Sequence, residues 1–526
     1  MVSEAPSRLS SPLRWLLCWL AFLAIVLSLQ AWHGAYRCDL GGDPDEAAHA
    51  VTSLMVRDYM AHGLGQNPKH FADAYYARFP KVALGHYPPG FYVVAGLWLL
   101  PFASIGSLLV LHAVLIATLG ILTTWCALRC LPCGLAVATG LLLCLSAPIT
   151  KIAVLVMSDV LVAIACLISA IAFASYLDKP RVAAALAFGF AAAFAILTKG
   201  SGWMLALLPP LAIAFTGRWS LLLKPSLWVA PVPVIVLALP WQLYSYGMTE
   251  GGMSGLTPMQ HFQTALPFYF DAAVDSFGIP VLLLLICGLT WEACQAMRGR
   301  RQNATLAASL WALFLTGWMI ALTIPAGTSS RYFIPITSPM ILFALWAGWR
   351  GAQHWLSSRL AAWAAVLTVG ASLAVGLSHK TLAKDAHGFH ESVRLIAQAP
   401  GATLVCADAR GEGALVADAA FNPVLQSSAG FAMLRATKEL SSQDWIGRGY
   451  VLAFQDDEAI REHLKKRNVR WVLLDDSVTG IYRQPHFDQL KHALQSPDSG
   501  WLVSGSVPVS TGPDSRGSML IFTPKD

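Results

Sequence analysis

Apolar runs separated by short charged segments fill the first three-quarters of the chain. They cover 13–32, 108–128, 135–150, 159–177, 182–197, 202–216, 227–246, 278–297, 306–324, 332–349 and 361–377. Roughly twenty such residues are enough to cross a bilayer. A further run, 87–104, is short, rich in aromatics and opens with YPPG. From residue 378 the pattern changes. ATLVCAD (402–408), YVLAFQ (450–455), RWVLLDD (470–476) and SMLIFT (518–523) predict strands. DEAIREHLKKRN (457–468) predicts an amphipathic helix between two of them, a βαβ-like step. The pattern predicts an α-helical polytopic membrane domain, 1–377, followed by an α/β domain of ordinary size, 378–526.

Basic residues decide which side is which. Arg8 and Arg14 precede the first run, which is long and ends without an A-x-A site, so it reads as an uncleaved anchor with a cytoplasmic N-terminus. The loop 33–86 then lies outside. If 87–104 crossed, then Arg129, Lys179 with Arg181, Arg218 with Lys224, the cluster Arg298, Arg300 and Arg301, and Arg350 with Arg359 would all face outward. If it does not cross, all five groups are cytoplasmic, as the positive-inside rule prefers. We therefore read 87–104 as an interfacial or re-entrant helix. About eleven spans remain, with the C-terminal domain on the periplasmic or extracellular side of a bacterial inner membrane.

Composition agrees. Of 526 residues 56% are apolar and 13% charged, against about 25% charged in soluble domains. The formal net charge of +6 is dispersed between apolar runs, which argues against nucleic acid as a partner. The ten cysteines make no disulfide framework, since five lie inside apolar runs, and CLPC at Cys130 and Cys133 has no second pair. No G-x-G-x-x-G, G-x-x-x-x-G-K-[ST] or H-E-x-x-H occurs. This argues against a nucleotide-driven pump and a zinc protease.

The orientation gathers the remaining charges on one face. GGDPDEAAHA, 41–50, carries Asp43, Asp45 and Glu46 with His49 behind them. Taken alone it also suits a solvated turn before a helix whose first turn favours acids. His86 and Tyr87 follow on the same side, as do Lys151, Asp159, Lys199 in LTKGSG, and Arg331 with Tyr332 in GTSSRYF. Singly, the lysines suit snorkelling and the arginine a loop cap. Together, carboxylates and cations on the outer rim of one bundle describe a site, because charges at a membrane are costly unless hydrated, paired or used. Two segments stay open. Residues 258–273 suit a lid over a lipid substrate or an interfacial linker. Asp475 and Asp476 end a strand, as a ligand site or as a capped strand end.

These motifs resemble the GT-C superfamily of integral-membrane glycosyltransferases. The branches they resemble most are the protein O-mannosyltransferases and the lipid A aminoarabinose transferases. The resemblance rests on PDEAAHAVTSLMVRDY in the first outer loop, YPPG, the outer Asp159, LTKG, and Arg331-Tyr332 before a late span. It covers most of 13–377. The family's His-Pro-Pro order is replaced here by His86-Tyr87-Pro88-Pro89. The resemblance implies transfer of a sugar from a polyprenyl-phosphate donor to a glycan, lipid or protein acceptor, with inversion. It implies Asp45 as base and Glu46 as an orienting group. Arg331, Lys199, Lys151 and Tyr332 would hold the donor phosphate, and Asp159, His86, His49 and Tyr87 are further candidates. No cofactor and no essential metal is implied, although the acidic pair with His49 has the chemistry for a divalent ion. A secondary transporter or lipid flippase, and a non-catalytic assembly protein, are the readings from other classes.

Overall fold

A computed structural model describes residues 11–250, 252, 255–297, 305–378, 384–444, 447–512 and 515–525. Arg8 and the cluster Arg298, Arg300 and Arg301 lie outside the described residues.

Among the described residues eight helices are long and apolar enough to cross a membrane: Pro12–Trp32, Ile105–Ala127, Asp159–Asp178, Leu227–Glu250, Pro258–Trp291, Thr305–Thr323, Ser330–Ala352 and Ser358–Val375. The pair Cys133–Cys144 and Ala147–Ala153, bent by 53°, makes a ninth. Val182–Thr198 and Gly200–Thr216 are shorter apolar helices at the two remaining expected positions. The protein is a multi-span membrane protein. Pro148 starts the second half of the bent pair, because proline suits a first turn and no helix interior. Pro209 and Pro210 likewise open the α-helix Leu208–Thr216 after a 3-10 stretch, Gly200–Ala206.

The YPPG run forms only the ten-residue helix Gly90–Leu99. That is about 15 Å of helix, half the hydrocarbon thickness. It packs beside the end of Val182–Thr198. A Cβ on Gly90 would come within 2.7 Å of the Leu197 carbonyl oxygen, so glycine permits the approach. The segment anticipated at 258–273 is helical, and a second helix follows it: the two meet at Gly278, whose φ of 76° and ψ of 155° are not helical. The break frees the Phe277 carbonyl, and Ser372 Oγ donates to it at 2.6 Å. The later helix starts where the apolar run 278–297 begins, and Gly278 and Pro280 both suit a helix start.

Among the described residues the C-terminal unit contains seven strands: β1 Ala402–Cys406, β2 Met433–Arg435, β3 Ser441–Ser442, β4 Val451–Leu452, β5 Val469–Asp475, β6 Trp501–Gly512 and β7 Ser515–Pro524. Five form one sheet in the order β2-β1-β5-β7-β6. β1 runs parallel to β2 and β5, while β7 is antiparallel to β5 and β6. The run at 450–455 contributes only β4, paired with β3 outside this sheet, so the helix Asp457–Lys466 does not follow a sheet strand. β6 was not foreseen. Its WLVSGSVPVSTG is polar and contains Pro508, which an edge strand tolerates because only one ladder must form. Asp475 is a capped strand end: its Oδ1 accepts from Ser477 N and Oγ at 2.9 and 2.6 Å.

The first outer loop and the sheet unit pack against each other. The loop holds the helices Pro44–Asp58 and Pro68–Arg78. Arg78 reaches across and donates to the carbonyls of Phe431, Leu425, Gln426 and Ser428 at 3.4, 3.1, 2.9 and 3.1 Å. Gln426 returns a 2.7 Å bond to Asp58. Arg78→Ala should lower the thermal unfolding temperature of the purified protein by an amount corresponding to about 2 kcal/mol, the scale of hydrogen bonds from a charged donor. Arg78→Lys should regain only part, because an ammonium cannot fork across several carbonyls.

Candidate active site

Asp45 owes its position to the end of a helix. Asp43 caps Pro44–Asp58, its side chain accepting from Asp45 N at 3.0 Å, and Pro44 occupies the first turn. Asp45 and Glu46 therefore start the helix, where the dipole and free amide groups favour carboxylates. Asp45 Oδ2 accepts from Tyr87 Oη at 2.9 Å and from Arg331 Nη2 at 3.2 Å. Arg331 Nη1 lies 3.6 Å from Asp43 Oδ2 and 3.4 Å from Met157 Sδ. The guanidinium comes from the short turn Ser330–Phe333, whose cap, Ser329, also accepts from Arg331 Nε at 3.4 Å. Residues 286 positions apart thus form one ion pair.

A second pair lies beneath it. Lys199 Nζ donates to Asp159 Oδ1 at 2.6 Å, and both side chains are buried. Lys199 also sits 5.5 Å from the centre of the Tyr332 ring. The backbone explains both residues. Asp159 opens the helix Asp159–Asp178, and Lys199 stands in extended backbone where Val182–Thr198 ends.

Two cavities meet at this cluster. One, about 600 Å³, lies between the first outer loop and the sheet unit. Asp45, Lys81, His86, Arg435, Lys438 and Tyr482 are among its walls. The other, about 560 Å³, lies among the membrane helices and is lined by Lys199, Arg331, Tyr332, Trp203 and Tyr269. His86 and Tyr87 belong to both walls.

Of the residues singled out in the sequence, Asp45, Arg331, Lys199, Tyr332, Asp159, His86 and Tyr87 come together here. Three others do not join them at the cavities. Glu46 is wholly buried, lines neither cavity and pairs with Lys384 at 2.6 Å. Lys151 is exposed on Ala147–Ala153 and lines neither cavity. His49 sits one helical turn below Asp45, boxed by the rings of Tyr87, Phe91 and Tyr92, with Nδ1 3.0 Å from Tyr92 Oη. Lys81, Arg435, Lys438 and Tyr482 went unread, because no local pattern marks a residue that only tertiary packing brings to a cavity. Asp43, named in the sequence with Asp45 and Glu46, is the helix cap.

Electrostatics follow from burial and partners. Burial pushes the Asp45 carboxyl up, but His49, Arg331 and the Tyr87 hydroxyl together hold it below the usual carboxylate range. Burial, opposed by Asp45, pushes His49 down to about 4, so its imidazole is neutral at physiological pH. Burial, reinforced by Arg435, lowers Lys81 to about 7. Among the described residues no three His, Cys, Asp or Glu side chains are grouped to hold a metal ion. Asp45 is engaged by Arg331 and Asp159 by Lys199.

No family model matches the chain, and no curated protein sequence matches it. Solved structures do. ArnT from Cupriavidus metallidurans in the apo state superposes with a TM-score of 0.57 at 15% identity, over 96% of this chain and 98% of that one. The same enzyme bound to undecaprenyl phosphate gives 0.54 at 15% identity, over 96% and 97%. The apo oligosaccharyltransferase of Archaeoglobus fulgidus gives 0.53 at 11% identity, over 87% and 69%. The chain therefore has the GT-C fold, a membrane helical bundle carrying a C-terminal sheet domain.

The buried imidazole sets a pH dependence. Between about pH 6.5 and 4 the unfolded chain takes up a proton at His49 that the folded chain refuses, so this residue's contribution to stability falls as pH drops. Thermal unfolding at pH 7 and pH 4.5 should show a smaller gap between wild type and His49→Gln at the lower pH.

Proposed function

We propose that this protein is a membrane glycosyltransferase. It moves a sugar from a polyprenyl-phosphate donor to a hydroxyl or amine of an acceptor on the outer face of a bacterial inner membrane. The carrying observation is that the Asp45–Arg331 ion pair stands in the wall between the two cavities. The intramembrane cavity, with cations at its outer end, suits a lipid phosphate. The outer cavity, with Asp45 in its wall, suits an acceptor. ArnT from Cupriavidus metallidurans, which shares this fold over nearly its whole length, binds undecaprenyl phosphate. A transporter would keep its charges near the bilayer midplane between repeated halves; here they are paired at one rim.

In the reaction the donor phosphate enters beside Lys199 and takes the Arg331 fork from Asp45. A guanidinium binds phosphate oxygens in the same two-pronged way as a carboxylate. Asp45, released, accepts the acceptor's proton. The acceptor oxygen or nitrogen then bonds to the anomeric carbon as that carbon's bond to the phosphate oxygen breaks, which inverts the centre. The electron pair leaves with polyprenyl phosphate, where Arg331 and Lys199 stabilise the growing charge. Tyr87 keeps Asp45 aimed through its 2.9 Å hydrogen bond. The acceptor is a glycan, a lipid or a protein segment that fits below the sheet unit.

The test is transfer by the full chain in nanodiscs, with short polyprenyl-phosphate sugars as donors and membrane extract as the acceptor source. Asp45→Asn should retain donor binding and lose on the order of 10² to 10⁴ in kcat, the usual contribution of a general base. Arg331→Ala should weaken donor binding. Absence of donor binding across a broad panel of carriers and sugars would overturn the reading.

A further inference from the structure

Glu46 follows Asp45 in sequence yet turns away from both cavities. Its Oε1 takes the 2.6 Å bond from Lys384 Nζ, its Oε2 a 3.1 Å bond from Gly42 N, and Val156 N donates to it as well. Neither charged side chain reaches water: Lys384 is 2% exposed and Glu46 0%. Three segments converge on this one carboxylate. They are the start of Pro44–Asp58, the loop that carries Met157 against Arg331, and the backbone at 384–388 that leads from the last span into the sheet unit.

That leading segment is stitched along the first outer loop. Asp39 N donates to Ala386 O at 2.8 Å, Lys384 N to His33 O at 3.3 Å, and Cys38 Sγ to Lys384 O at 2.8 Å. Asp39 Oδ2 in turn accepts from Phe389 N at 2.8 Å, at the start of the helix Phe389–Ile396. The glycine pair of GGDPDE belongs to the same seam. A Cβ on Gly41 would lie 2.9 Å from Ala386 Cβ, and one on Gly42 would lie 2.5 Å from Leu155 Cδ2. A buried ion pair is poor as a source of net stability, since well-packed apolar residues often do as well. What it supplies is geometry, because each charge must stay where the other is.

We propose that Lys384 is a positioning residue for the transfer site. Its ammonium pins Glu46, and through Glu46 the register of Asp45 against Arg331, so the docking of the sheet unit sets the geometry of the reacting groups. The proposal rests on the reading of Asp45 as base. Lys384 touches no substrate.

The experiment compares wild type, Lys384→Met, Lys384→Arg and the double variant Glu46→Leu with Lys384→Met, as full chains in nanodiscs. Kinetics are run across pH with thermal unfolding alongside. Lys384→Met should lose on the order of 10²-fold in kcat, the effect of displacing a reacting group by about 1 Å, while KM for the donor stays within about twofold. The acid limb of its pH profile should stay in place, because burial keeps the unpaired Glu46 carboxyl protonated and so without charge toward Asp45. Lys384→Arg should restore most of kcat. The double variant buries no charge, so it should unfold near the wild-type temperature and keep the wild-type limb while kcat stays low. It carries the test if Lys384→Met does not fold. Wild-type kcat in the double variant or in a folded Lys384→Met, or a loss of kcat that Lys384→Arg does not restore, would overturn the proposal. Asp45→Asn runs in parallel. If it still transfers sugar, the reading of Asp45 as base fails; if it is inactive while the Lys384 variants behave as wild type, only this proposal fails.

Discussion

Keeping ionised carboxylates at the edge of a low-dielectric slab is the constraint around which this molecule is arranged. Asp43, Asp45 and Asp159 stand against Arg331 and Lys199, and every one of these charges is at least partly withdrawn from water. Taking a charge out of water costs several kcal/mol per ion unless partners replace the lost hydration. The chain meets that cost with helix ends. Two of the carboxylates, Asp45 and Asp159, stand in the first turn of a helix, where unsatisfied amide groups favour negative charge, and Lys199 emerges where another helix stops. Aromatic rings close the remaining gaps, and Tyr87 adds a hydroxyl to Asp45.

The need to assemble that cluster explains several local irregularities. The helix Gly90–Leu99 stops short because its role is to place Tyr87 and His86 at the junction of two cavities. Gly90 supplies the close approach to Val182–Thr198 that sets its depth. The break between Val182–Thr198 and Leu208–Thr216 leaves Lys199 in extended backbone, free to turn toward Asp159. Both of these irregularities stand beside charged or aromatic groups of the cluster, as expected where backbone irregularity at membrane depth lines a cavity.

The sheet unit completes the arrangement on the side of the cluster away from the membrane helices. It roofs the outer cavity with Arg435, Lys438 and Tyr482 and is held by the Arg78 fork and by the seam between 33–42 and 384–389. Its position and that of the first outer loop are therefore set together. The loop is stiffened on one side by the membrane helices and on the other by the sheet, which suits a segment that must hold one carboxylate in place.

Much of this was legible in the sequence, for a local reason. Whether a stretch can cross a bilayer depends on its own twenty residues, so all eleven apolar runs appear as helices, and the shortness of 87–104 was readable from YPPG. Asp45, Asp159, Lys199 and Arg331 lie between or at the ends of such runs, and they stood out because the positive-inside orientation gathers them on one face. The polar edge strand Trp501–Gly512 and the displaced pair of Ser441–Ser442 with Val451–Leu452 were not legible, because their local patterns match another element equally well. Nor could any local pattern say which charge neutralises which. Glu46 and Lys384 lie 338 residues apart, and Asp45 and Arg331 286 apart. The desolvation cost that makes a charge conspicuous is a property of its neighbours in sequence. Its compensation is a property of its neighbours in space, and only the folded chain decides those.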